Sequence, residues 1–117
     1  MDIVRGLAAK VDPSRPAVLL GHWPVAGCTM SSGQILHGGE PALPLGELQA
    51  GPWDAVVMGH IHKRQVFPGT PFTCHVGAMT RRDFGEEDDP CGCLILDTDA
   101  GTQTWHELPA RRFFTWN

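Results

Sequence analysis

Long apolar runs are missing from this sequence. Nothing in its 117 residues approaches the roughly 20 consecutive apolar positions of a membrane-spanning helix. The first residues also lack a signal-peptide pattern, so the expected location is the cytoplasm. Positive charge is scarce as well. Nine Lys and Arg against thirteen Asp and Glu leave a net charge of −4, which argues against a sequence-independent basic surface for nucleic acid. That does not exclude a nuclease, because metal ions held in a site supply positive charge where it is needed. Cysteine occurs four times, as Cys28, Cys74, Cys91 and Cys93, without the framework spacing of a secreted mini-protein. Cys91-Gly92-Cys93 with Cys74 and His75 sketches a zinc site. The usual C-x-x-C knuckle is lacking, however, and Cys93 leads into an apolar strand, so buried thiols are the expectation. Internal repeats and low-complexity tracts are absent too.

What is present is globular: 42% apolar and 19% charged residues. The length suits one domain, or part of one, with a real but small core. In Asp2 to Val11, the spacing of Ile3, Val4, Leu7, Ala8 and Val11 predicts a surface helix packed on a sheet, with Asp2 as N-cap and Pro13 ending it. Ala17 to Leu20 reads as a strand closed by Gly21. Ala26 to Glu40, rich in Gly and Ser, reads as a long loop in which His37 is a solvated side chain. Pro44 opens a short helix to Gln49, and Gly51-Pro52 stops it. Phe72 to Val76 is a further strand. The charged stretch Arg81 to Pro90 reads as a solvated loop, acidic run included. Cys93 to Leu96 and Thr102 to Leu108 form two strands joined at Asp99-Ala100-Gly101. Phe113, Phe114 and Trp116 close the chain as an apolar tail.

The centre of interest is Trp53 to Gln65. The apolar run Ala55-Val56-Val57-Met58 is cut off by Gly59, and His60 and His62 follow in G-H-x-H spacing. A short buried strand is expected, with both histidines on the turn at its carboxyl end, where open α/β sheets place ligand-binding groups. On such a turn, two imidazoles one residue apart reach one metal ion or two neighbouring ions. His22 repeats the arrangement: a strand, then Gly21, then a histidine. If the two strands are parallel, His22 and His60 lie at one edge of one sheet.

These pieces resemble, from about Val18 to Leu108, the carboxyl-terminal half of the calcineurin-like metallophosphoesterases. VLLGHWPV is similar to their strand-then-histidine motif and VVMGHIH to their G-H-x-H motif. The branch of SbcD-like DNA repair exonucleases is the nearest in pattern. Its features are matched by Lys63-Arg64-Gln65 after the histidines, by His75-Val76-Gly77-Ala78 in place of a Y-x-G-S-like strand, and by Phe84-Gly85-Glu86. The resemblance implies an α/β fold, specifically part of a β-sandwich flanked by helices, with this chain as the carboxyl-terminal half (residues 1–117). It also implies a hydrolase with two divalent ions, commonly manganese with iron or zinc as alternatives, that activate water for attack on a phosphodiester. His22 and His60 would be ligands of one ion and His62 of the other.

The family's upstream D-x-H, G-D-x-x-D and G-N-H-[DE] motifs have no counterpart here, and the one asparagine is Asn117. The expectation is therefore half a site, with no catalytic residue identified and the chain inactive alone. Its partner would be a missing amino-terminal half or a second copy, and its substrate DNA or a small phosphodiester. Two alternatives stay open: a degenerate, non-catalytic module that binds a protein or nucleic acid, and a phosphomonoesterase or cyclic-nucleotide phosphodiesterase of the same superfamily.

Overall fold

The computed structural model describes residues 2–35 and 41–116. Its elements in chain order are helix α1 (Asp2–Ala8), strand β1 (Val18–Gly21), helix α2 (Leu45–Gln49), strands β2 (Ala55–Met58), β3 (Gln65–Phe67) and β4 (Phe72–His75), and the hairpin β5 (Gly92–Asp97) and β6 (Thr102–Glu107). A 3-10 turn, Phe84–Glu86, stands between β4 and β5. The chain is mixed α/β with more strand than helix. His37 lies outside the described residues.

Four strands form one sheet in the order β1-β2-β4-β3. β1 pairs with β2 in parallel, in register Leu19↔Val56 and Gly21↔Met58, and β2 pairs with β4 in parallel. β3 returns antiparallel to β4, with Gln65 opposite His75. Side chains alternate between the two faces of a sheet, so register sorts them directly. One face carries Leu19, Val56, Met58, Thr73 and His75, all buried. It packs against Val25, Leu48 and Trp53, with Val4, Ala8 and Val11 of the amino-terminal segment alongside. The Trp53 indole N–H donates to the Leu48 carbonyl, which fastens the end of α2 beneath β2.

The opposite face is open in part. Along one row of the register, Leu20, Val57, Cys74 and Val66 stand side by side. Leu20 is 71% exposed and Val66 48%, while Cys74 is buried. β1 is also one of the two edge strands of its sheet among the described residues, β3 being the other. The accessible surface, 7672 Å² for 12.7 kDa, is correspondingly large. A folded monomer of this mass ordinarily exposes about 6,200 Å². The radius of gyration, 15.4 Å, likewise exceeds the about 13 Å of a compact chain this long.

Several expectations need adjusting. α1 ends at Ala8 rather than Val11, its last carbonyls closed by Lys10 N–H to Leu7 O and Val11 N–H to Ala8 O. Its apolar stripe splits: Val4 and Ala8 pack inward, but Ile3 is 76% exposed and Leu7 44%. β3 was not expected at all. The long loop is anchored, because Gln65 accepts from the Thr29 N–H (2.8 Å) and donates to the Thr29 carbonyl (3.0 Å). The hairpin turn is held by Asp97, whose carboxylate accepts from the backbone N–H groups of Asp99 and Ala100. No cysteine is in a disulfide; Cys28, Cys74 and Cys91 are buried and Cys93 half-buried.

Candidate functional site

The parallel pairing of β1 and β2 brings their carboxyl ends together, and the two loops that follow carry His22 and His60. The ladder reaches one step past the strands, with the Gly59 N–H donating to the Gly21 carbonyl at 2.8 Å. Gly59 sits under the imidazole of His22. A Cβ built on Gly59 would stand only 2.7 Å from Nδ1 of His22. Close approach, not backbone freedom, is what calls for glycine here. The left-handed conformation falls one residue later, on His60 itself (φ 78°). Non-glycine residues in that region are uncommon, and histidine is among the few that tolerate it.

The result is a pair of rings at the sheet's edge, centroids 5.5 Å apart and nearly perpendicular (84°). Two imidazoles on one divalent ion, with metal–nitrogen bonds of about 2.0–2.1 Å at a tetrahedral angle, put their ring centres about 5.2 Å apart. The His22–His60 centroid separation differs from that value by a few tenths of an ångström, and it is also the spacing of an edge-to-face ring contact.

His62 is held differently. Its Nδ1 lies 2.6 Å from a carboxylate oxygen of Glu86. The other oxygen accepts from the Arg82 backbone N–H (2.7 Å), and the Arg81 guanidinium donates to the Glu86 carbonyl (3.1 Å). Burial pushes the Glu86 carboxyl up. The Arg82 N–H, the His62 hydrogen bond and the neighbouring positive charge together outweigh it and hold the group below the ordinary 4.5. Glu86 is thus an ionised acceptor facing Nδ1 of His62, and in a neutral His62 ring that contact calls for the proton on Nδ1 and the lone pair on Nε2.

Glu86 corrects the reading of the acidic stretch as wholly solvated. It is 7% exposed, because Asp83 caps the 3-10 turn, accepting from the Gly85 N–H at 2.9 Å, and so folds the segment back over His62. The advance signals were that capping pattern, Asp83 two residues before Gly85, and the place of Glu86 in the Phe84-Gly85-Glu86 element that the resemblance rests on.

His75 was read within a strand and only sketched as a zinc ligand beside the cysteines, and its environment is specific. It is fully buried; Nδ1–H donates to the Gly59 carbonyl (3.0 Å) and Nε2 accepts from the Val25 N–H (3.2 Å). Burial lowers its pKa from the ordinary 6.5, partly opposed by hydrogen bonds to the Gly59 and Met58 backbone. With both ring nitrogens engaged, His75 has none left for the zinc set sketched with Cys74, Cys91 and Cys93. Burial pushes the Cys74 thiol up to about 11, which suits an inert core side chain.

A cleft of about 510 Å³ runs along these groups, lined by His22, His60, His62, Ser31, Arg82 and Glu86 among others. Sequence reasoning picked three histidines, and all three line this one cleft. No known protein-family model matches the sequence. Among the described residues, no three of His, Cys, Asp and Glu converge closely enough to hold an ion by themselves. The histidines divide instead into two pairs, His22 with His60 and His62 with Glu86.

That division bears on the two ions the resemblance implies. The residues fit part of the group by donor type: two neighbouring imidazoles, His22 and His60, and a carboxylate-steadied ring at His62. Carboxylate–histidine pairs of this kind orient metal ligands and raise their basicity. The described residues do not complete either coordination shell.

Proposed function

We propose that this chain supplies the histidine side of a two-metal phosphodiesterase centre, acting on DNA as an exonuclease or on a small phosphodiester. The single observation that carries the reading is the His22–His60 pair, delivered from the ends of two adjacent parallel strands to a spacing that suits one divalent ion. His62, oriented by Glu86, is the donor to the second ion. The grouping into His22 with His60 and His62 apart is the one the family resemblance implies.

Manganese, or iron or zinc, bound there would polarise the phosphoryl oxygen and lower the pKa of water. The chain's own residues have narrower tasks. Glu86 fixes the tautomer of His62 and keeps Nε2 available. Arg82, on the cleft wall, offers a cation to a phosphate oxygen. Ser31 and Ser32, from the loop that Gln65 anchors, also line the cleft and offer hydroxyl groups.

Two neutral imidazoles bring no negative charge to offset a divalent ion. Among the described residues no carboxylate completes the set at His22 and His60, so on this reading the oxygen ligands come from a further segment or a second polypeptide. The open edge of β1 and the exposed Leu20 beside it support that requirement, since they offer strand pairing and apolar surface together. The surface excess of about 1,400 Å² over a compact monomer is comparable with one side of an obligate interface.

The test is manganese-dependent hydrolysis of bis(p-nitrophenyl) phosphate, with and without an added amino-terminal half of this family, against a His60→Ala control. Hydrolysis that appears on mixing and vanishes in the control supports a split two-metal centre. Failure to hydrolyse under either condition would favour the alternative, a non-catalytic module that binds a partner. The separation of the donors into two incomplete pairs is the observation that keeps this alternative in view.

A further inference from the structure

We infer that His75 is the positioning residue of the His22–His60 pair: a buried neutral imidazole that clamps the two loops together and thereby sets the spacing of the rings. The consequence for metal affinity rests on the two-metal reading above; the clamp itself does not.

The geometry is as follows. The Gly59 carbonyl, which accepts from Nδ1–H of His75, belongs to the residue immediately before His60. The Val25 N–H, which donates to Nε2, lies three residues after His22. One ring therefore joins the loop that follows β1 to the loop that follows β2. It does so from the end of β4, on the far side of β2 from β1. Val25 and His75 are both fully buried, which seals the Val25 hydrogen bond from water, while the bond to the half-buried Gly59 is part-buried. The ring is itself held from the side: Phe67 stands edge-on to it at 5.7 Å.

Chemistry narrows the choice of residue. The position needs a donor and an acceptor on opposite sides of one rigid, apolar-bodied group. A neutral imidazole in the Nδ1–H tautomer offers both. Phenylalanine fills the space with neither. Asparagine reproduces the donor near Nδ1 but does not extend to Val25. The register makes the clamp possible, since Met58↔His75 pairing sets His75 level with the last residue before Gly59.

The test uses the full 117-residue chain with labelled histidine side chains. In the unaltered protein, NMR should show the Nδ1–H tautomer of His75. It should also show a coupling across the hydrogen bond from the Val25 amide nitrogen to Nε2, and a nuclear Overhauser contact between the rings of His22 and His60. In His75→Phe, with the amide spectrum of β2 and β4 retained, the contact between rings should disappear and Zn²⁺ affinity should fall at least tenfold. His75→Asn should lie between the two. An unaltered inter-ring contact in His75→Phe would overturn the clamp, as would an Nε2–H tautomer or a missing Val25 coupling in the unaltered protein. If His75→Phe does not fold, the tautomer and coupling measured in the unaltered protein decide. Should the inter-ring contact be lost in His75→Phe while no form binds Zn²⁺, the clamp stands and the metal reading falls.

Discussion

Replacing Gly59 with alanine is the most informative perturbation outside the histidines, because it exchanges a hydrogen for a methyl group directly beneath one of them. The new Cβ would stand 2.7 Å from Nδ1 and 3.4 Å from Cε1 of His22. Ordinary van der Waals contact begins near 3.4 Å, so the Nδ1 edge of the ring must retreat by the difference, 0.7 Å. The backbone of Gly59 is not in the left-handed region, so no conformational strain accompanies the change. His22 is exposed and free to swing outward, and the expected loss of stability is below about 1 kcal/mol. Metal ligation is far less tolerant, since donor distances must hold to about 0.2 Å. Zn²⁺ affinity should therefore fall about tenfold or more while the midpoint of thermal unfolding hardly moves. Isothermal titration and a melting curve measure the two quantities on one sample. A double variant with His22→Ala adds the decisive control, because a Gly59 effect that acts through His22 cannot add to its removal. Unchanged affinity in Gly59→Ala, or full additivity in the double variant, would refute the reasoning.

Three further outcomes are expected. His60→Gly removes a proposed ligand but also relieves a left-handed residue that costs about 1–2 kcal/mol relative to glycine, so chemical denaturation should find the variant no less stable, while on the two-metal reading metal binding is lost. Glu86→Ala leaves the Arg82 N–H and Nδ1 of His62 without their charged acceptor and should cost about 1.5–3 kcal/mol in urea unfolding. A His75 pKa held below 6.5 means that the unfolded chain binds a proton there before the folded one does; stability should fall as pH drops below about 6.5 and be complete above it. Melting curves between pH 7.5 and 5.5 check this, and His75→Phe should flatten the dependence.

The sheet was legible where apolar runs end in punctuation. Ala55 to Met58 is the observed β2, and β1 and β4 depart from their expected bounds by one residue at an end or two. The hairpin strands behave the same way. What periodicity missed is set by pairing rather than by local preference. Gln65–Phe67 is three residues long and follows a charged Lys63-Arg64 step, and it is a strand because β4 offers it an antiparallel edge. α1 was overextended because an apolar stripe does not reveal how much of itself finds a partner; Ile3 and Leu7 do not.

The site was legible in its three histidines and opaque in what steadies them. Glu86 is one acid among several in its stretch, and only the capped 3-10 turn singles it out for His62. His75 sits in a short strand of β-formers, and nothing local shows that register turns it toward Gly59 and Val25. Second partners of this kind depend on long-range contacts, Val25 to His75 spanning 50 positions and His62 to Glu86 spanning 24.

The distribution of thiols has a practical use. Three cysteines are sealed inside three different parts of the chain, Cys28 in the loop after β1, Cys74 in the sheet and Cys91 before the hairpin, while Cys93 is half-open. Alkylation followed by mass mapping then works as an intrinsic gauge of local opening. Each modified position reports which part of the molecule breathed, without any label being engineered into it.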